Sequence, residues 1–219
     1  VIAIVDYGIG NLGSVTKGFR FVGAPTVLTG DPETLLRADA LVLPGDGAFG
    51  ATMEEIEKRG LADLLVRRAA AGVPLLGICI GMQVLFEESE EHGRHRGLGL
   101  LPGRVRRFFA GEETSGARLP VPHMGWNRLR HRREHPLLSG IAEGAHVYFV
   151  HSYYCDAPAE LVLADTDYGI DFPAIVGRKN VLGMQFHPEK SQAVGLSLLR
   201  NFVRLVEQKA AAGQEEGRA

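Results

Sequence analysis

Over its first 78 residues the chain alternates short apolar runs with longer segments of helical period, and this alternation constrains the fold more than any other feature. Positions 1–5, 25–28, 40–43 and 74–78 are apolar runs of strand length. Positions 14–22 and 51–71 instead carry apolar residues at helical spacing. Strands joined by helices run parallel, because a crossover helix returns the chain to the same end of the sheet. Right-handed crossovers then set helices on both faces, which predicts a doubly wound sheet.

From Gly97 onward the pattern changes. Strand candidates at 103–109, 146–152, 161–164, 174–177 and 181–186 have little helix between them, which predicts an antiparallel or mixed sheet. A last amphipathic helix over 191–208 is expected to turn Leu196, Leu199, Phe202, Val203 and Val206 inward, with 210–219 a fraying tail. At 219 residues and 45% hydrophobic, one domain over 1–209 can bury a core of its own. The fold class expected is α/β, flavodoxin-like, a largely parallel doubly wound sheet plus a smaller mixed or antiparallel sheet.

The fourth apolar run enters Gly77-Ile78-Cys79-Ile80-Gly81, and a helix is expected from about Gly81-Met82-Gln83 through Val84, Leu85 and Phe86. Glycines flank the cysteine as a strand–turn–helix elbow requires, since the turn forces unusual backbone angles and close approach of strand and helix. The thiol would sit at a helix N-terminus, where the dipole favours an anion. A cysteine nucleophile needs a base, and an apolar strand near the end of the chain runs into His187-Pro188-Glu189. Residues two apart in extended chain point to one side, so Glu189 is expected to orient His187. Cys79, His187 and Glu189 then read as nucleophile, base and orienting carboxylate.

At these residues the chain resembles the class I, or triad-type, glutamine amidotransferases, whose hallmarks are Gly-x-Cys-x-Gly-x-Gln and a late His-Pro-Glu. The resemblance covers nearly the whole chain. Three more segments, Asp6-Tyr7-Gly8-Ile9-Gly10-Asn11-Leu12, Leu43-Pro44-Gly45-Asp46-Gly47-Ala48-Phe49-Gly50 and Pro122-His123-Met124-Gly125-Trp126-Asn127, are similar to the glutaminase subunits of imidazole glycerol phosphate synthases. The anthranilate, GMP and carbamoyl phosphate relatives share the elbow and lack Met-Gly-Trp-Asn. The resemblance implies glutamine as substrate, no cofactor, and a cyclase subunit that receives ammonia within a heterodimer of histidine biosynthesis. It further implies that Gln83, Gly47 and the segment His151-Ser152-Tyr153 bind glutamine, and that Asn11, Met124 and Trp126 face the cyclase.

An acyl transfer by Cys79 passes through an oxyanion that needs preorganised donors. The N–H of Ile80 is one, and a second is expected from the Gly45-Asp46 loop, where glycine permits an unusual peptide orientation. Asp46 departs from the family, which usually carries an apolar residue there, so its carboxylate is expected to face solvent or an arginine. Gln83, four residues after the nucleophile, lies one helical turn along and can bind the polar end of a small substrate.

Other classes compete for the same residues. Gly8-Ile9-Gly10-Asn11-Leu12-Gly13 matches a dinucleotide-binding turn, with Asp31 at the distance of a ribose-binding acid. That oxidoreductase reading leaves the elbow, Gln83 and His-Pro-Glu without purpose, and Pro32 restricts Asp31. A stand-alone cysteine hydrolase, a silent scaffold and another synthase-coupled amidotransferase are further alternatives. A net charge of −2 argues against nucleic acid, despite the arginine-rich stretch 94–133 that includes Arg118, read as solvated surface or a patch for an acidic partner. Apolar runs are only strand-length and no signal-like segment opens the chain, so a cytoplasmic, membrane-free protein is expected. The eight histidines show no metal-ligand spacing, and Cys155 reads as an ordinary thiol.

Overall fold

The computed structural model describes residues 1–109 and 119–216; Arg118 and positions 217–219 of the expected tail lie outside them. Strands β1 (Ile2–Val5), β2 (Thr26–Thr29), β3 (Ala40–Leu43) and β4 (Leu75–Ile78) follow the apolar runs closely. Helices α1 (Leu12–Phe21), α2 (Pro32–Arg37), α3 (Phe49–Lys58) and α4 (Leu61–Ala70) lie between them. After β4 come the single turn α5 (Ile80–Gln83) and strands β5 (Phe86–Ser89), β6 (His95–Arg96) and β7 (Leu101–Arg107). Strands β8 (His123–Arg128), β9 (Arg130–His131), β10 (His146–His151) and β11 (Tyr153–Asp156) follow. The chain then forms β12 (Val162–Asp167), β13 (Asp171–Arg178), β14 (Val181–Met184) and α6 (Gln192–Glu216).

Eight strands form the main sheet in the order β2-β1-β3-β4-β14-β13-β12-β9. The first five are parallel and the last three antiparallel. Part of the second half therefore extends the first sheet. Strand β14 is buried on both faces and pairs parallel with β4, Met184 opposite Ile78. The remainder forms a four-stranded sheet, β11-β7-β5-β6, and a two-stranded ribbon, β10-β8. Alternate residues of β1 feed two cores. Ile2 and Ile4 join Phe19 of α1 and Phe202 of α6, while Ala3 and Val5 join Phe49 and Ile56 of α3 and Leu64 of α4. Helices thus cover both faces, as a largely parallel sheet requires.

Local chemistry explains where the elements depart from the sequence reading. The single helix expected over 51–71 breaks in two because Gly60 adopts left-handed angles, φ 67°, and ends the run. Helix α2 was not foreseen; Asp31 caps it, accepting from Thr34 N–H at 2.8 Å, with Pro32 opening the first turn. The helix after Cys79 stops at Gln83 rather than Phe86, which begins β5. The last helix continues to Glu216, and Leu198 is fully buried on it while Leu196 is only half-buried. No helix of the described residues is long and apolar enough to cross a membrane.

Candidate active site

Cys79 follows β4 directly and holds φ 54° and ψ −115°, a strained conformation for a residue with a side chain, costing roughly 1–3 kcal/mol. The surroundings fix it: the Cys79 N–H donates to Met184 O at 2.7 Å, and Met82 and Gln83 N–H donate back to Cys79 O at 3.0 and 3.2 Å. Gly81 is obligatory, because a β-carbon there would collide with the Leu43 carbonyl oxygen at the end of β3. With α5 only one turn long, the helix dipole is too small to be the main support of a sulfur anion, and the helix expected as far as Phe86 behind the thiol is cut short.

His187 lies three residues beyond β14, so adjacent parallel strands deliver it and Cys79 to the same end of the sheet. Its Nδ1 lies 2.9 Å from Glu189 Oε1, and its other side hydrogen-bonds the Cys79 sulfur. Burial opposes protonation of the ring, but the bonds to Cys79 and Glu189 outweigh it and push the imidazole up to about 10. His187 and Glu189 meet through a 3-10 turn over Pro188–Lys190, not through extended chain. The contact foreseen is present while its geometric reason differs. Both side chains are almost fully buried.

Gln83 is buried beside this group. Its Nε2 donates to Tyr153 O and to Gln185 Oε1, both at 3.1 Å, and Gln185 Nε2 approaches Cys79 Sγ at 4.0 Å. Gln185, fully buried, escaped the sequence reading, although an amide inside the apolar run 181–186 was a legible signal. Tyr153 contributes its carbonyl, whereas His151 turns its ring inward, Nδ1 2.7 Å from Tyr153 O. Ser152 is half-buried, its carbonyl accepting from Phe108 N–H at 3.2 Å. The other cysteine, Cys155, is also free, and burial pushes its thiol well up.

The Gly45-Asp46-Gly47 loop leaves β3 alongside the elbow. A β-carbon on Gly45 would strike the Ile80 side chain and stand 2.6 Å from Gly81 N. Asp46 is exposed, its Oδ1 accepting from Gly47 N–H at 3.1 Å; Gly47 is exposed too. Beneath the loop Tyr7 Oη donates to Pro44 O at 2.6 Å. Gly10 faces Gly45 and the Asp46 nitrogen, so the N-terminal glycine turn packs on this loop. Asp31 spends its carboxylate capping α2. The glycine turn and the acid thus both have structural work, which removes the dinucleotide reading.

Met124 and Trp126 lie on one face of β8, 62% and 46% exposed. Asn11 is half-buried at the start of α1 with no capping bond from its side chain. Many of the central arginines pair within the chain: Arg104 and Arg106 with Asp156, Arg130 and Arg132 with Asp165 and Asp171. Among the described residues no cluster of three or more His, Cys, Asp or Glu could hold a metal ion.

The family model for "Glutamine amidotransferase class-I" matches residues 3–206. The chain belongs to the class-I glutamine amidotransferases. This amidotransferase is 52% identical over 218 residues to the imidazole glycerol phosphate synthase subunit HisH of Geobacillus thermodenitrificans, covering 99% of each chain. It is 50% identical over 202 residues to the protein of the same name from Geobacter sulfurreducens, covering 92% of this chain and 97% of that one. Among solved structures, one described as a glutamine amidotransferase superposes with a TM-score of 0.72 at 23% identity, covering 94% and 99% of the two chains. A glutamine amidotransferase from Thermotoga maritima superposes at 0.66 and 18% identity, covering 94% and 97%. At such identities these two speak for the amidotransferase fold.

Proposed function

We propose that this amidotransferase is the glutaminase subunit of an imidazole glycerol phosphate synthase, hydrolysing glutamine through Cys79, His187 and Glu189 and passing ammonia to a cyclase subunit. One observation carries the chemistry: adjacent parallel strands bring the strained Cys79 and the doubly hydrogen-bonded His187 together. The subunit assignment is supported by relatives of that name about half identical over nearly the full length. As such a subunit the chain works in the cytoplasm, in histidine biosynthesis.

The Cys79 sulfur attacks the glutamine carboxamide carbon, and the carbonyl electrons move onto oxygen. Ile80 N–H and a peptide N–H of the Gly45-Asp46 loop receive that oxyanion. The C–N bond then breaks as His187 gives its proton to the departing nitrogen, releasing ammonia and leaving a glutamyl thioester. His187 next takes a proton from water, which attacks the thioester and frees glutamate and the thiol. Glu189 holds the ring and balances the imidazolium in both halves. Gln83, the Gly47 region and the 151–153 segment hold the amino-acid end, while Asn11, Met124 and Trp126 face the cyclase. Enclosure between the subunits keeps ammonia from water.

The test is glutamate release from glutamine by the chain with its cognate cyclase subunit and that subunit's nucleotide ligand, beside Cys79→Ala. Partner-dependent release lost in the variant is expected. Release that survives the substitution, or none from the wild type, would overturn the proposal.

A further inference from the structure

Two buried histidines outside the triad are joined by hydrogen bonds whose direction is fixed. His151 Nδ1 lies 2.7 Å from the carbonyl of Tyr153, which can only accept, so Nδ1 carries the proton. His123 Nδ1 lies 3.1 Å from His151 Nε2, and Asn127 Nδ2 lies 3.3 Å from His123 Nε2. Asn127 is oriented independently: its Oδ1 accepts from Arg128 N–H at 2.8 Å and its Nδ2 donates to Asp167 O at 2.7 Å. With both rings neutral, every bond runs one way, from Asn127 through His123 and His151 to Tyr153 O. Neutrality is well supported, since burial drives His123 down to about 4 and His151 to about 3.

The chain ends on a substrate contact. Tyr153 O receives both His151 Nδ1–H and Gln83 Nε2–H, and the second hydrogen of Gln83 Nε2 goes to Gln185. Both N–H groups of the Gln83 amide are therefore used, and its Oε1 is buried with no partner among the described residues. A buried, unpaired acceptor is costly unless something donates to it. Its neighbour Gln185 reaches the Cys79 sulfur, so the free oxygen belongs to the neighbourhood of the reacting group. A reversed Gln83 amide would set its oxygen against Tyr153 O and Gln185 Oε1, acceptor against acceptor.

We infer that His123 and His151 are positioning residues of the glutaminase: their one-way hydrogen-bond chain from Asn127 to the Tyr153 carbonyl locks the Gln83 amide with its oxygen free to accept a donor of bound glutamine. This rests on the reading of Gln83 as a glutamine contact. The aromatic packing has a separate task. His123 stacks on Tyr168 at 4.0 Å and Phe149 at 4.8 Å between ring centroids, which fixes the ring plane but not the direction of its bonds. Ring shape and N–H donation can therefore be tested apart.

The experiment pairs His123→Phe, which keeps a flat ring and loses the donor, with His123→Asn, which loses the ring and keeps a donor at the δ position. Steady-state glutaminase kinetics are measured with the cyclase subunit and its nucleotide ligand. The glutamine KM is expected to rise about tenfold in His123→Phe, with kcat within about threefold, and to return toward wild type in His123→Asn. A KM that follows the ring, or that moves in neither variant while the wild type turns over, overturns the positioning role alone. A wild type that releases no glutamate overturns the glutaminase reading with it. Nitrogen-15 spectra of the wild-type imidazoles need no variant to fold. They should show both rings neutral at pH 7 with the proton on Nδ1, and an Nε2–H tautomer or an imidazolium at either ring refutes the chain.

Discussion

The peptide N–H of His187 donates to the carbonyl of Tyr148 at 3.0 Å, so the triad imidazole hangs from β10 as well as from its own strand. Tyr148 is paired with Trp126 across the β8–β10 ribbon, their ring centroids 6.0 Å apart. The exposed tryptophan and His187, the proposed base, thus share one backbone connection. Any shift of the ribbon alters where the His187 main chain lies.

Ser191 completes that connection. Its Oγ accepts from Tyr148 N–H at 2.9 Å and donates to His187 O at 2.7 Å, and the side chain is fully buried. Ser191→Ala is expected to lower stability by about 1–3 kcal/mol, because Tyr148 N–H loses this acceptor and His187 O loses one of its two donors, keeping only Lys190 N–H. Denaturant unfolding gives the stability, and a fall in kcat larger than any change in glutamine KM would show the base displaced.

Glu189 contributes through His187 and does not touch the sulfur. In Glu189→Gln the shape remains but the negative charge is gone, so the imidazolium is no longer balanced. Glutaminase kcat is expected to fall by about a hundredfold with KM little changed. Glutamate release across a glutamine series measures both.

Tyr7 supports the proposed oxyanion loop from below. Burial pushes its hydroxyl pKa well up, which keeps it a donor to Pro44 O. Tyr7→Phe is expected to cost about 1–2 kcal/mol of stability by orphaning that carbonyl. It should also slow turnover, since the Gly45-Asp46 peptide then loses its anchor. Thermal unfolding and kcat of the same preparation test the two effects together.

The buried histidines predict an acid-side loss of stability. His123 and His151 stay neutral in the folded chain down to about 4 and 3, whereas an unfolded histidine takes up a proton near its ordinary value of 6.5. Below that pH the unfolded state binds more protons. Stability is therefore present above about pH 6.5 and lost as pH falls toward 4 and then 3, by about 1.4 kcal/mol per pH unit per proton. His123→Phe should make that decline shallower, which unfolding curves between pH 7 and 4 would measure.

The strands of the first half were legible because β1, β3 and β4 are buried on both faces and leave unbroken apolar runs in the sequence. The elbow at Cys79 was legible too, since such a turn dictates glycines on both sides, and the His187–Glu189 contact was foreseen although it forms through a 3-10 turn rather than extended chain. The break at Gly60 and the capping role of Asp31 were harder, because a glycine inside a helical period and an acid after a glycine turn each fit two structures. Residue type alone did not choose between them.

What the sequence determined by itself was the α/β class and the family, and it singled out Cys79, His187 and Glu189 as the residues to propose for the triad, all from local patterns. Only the tertiary structure decided that β14 lies beside β4, that Gln185 stands between Gln83 and the sulfur, and that His123 meets His151. These pairs are separated by 28 to 106 positions along the chain, and no spacing rule reaches that far. Their meeting follows from burial: polar groups enclosed by the same packed sheets must find partners among one another, and the fold settles which ones they find.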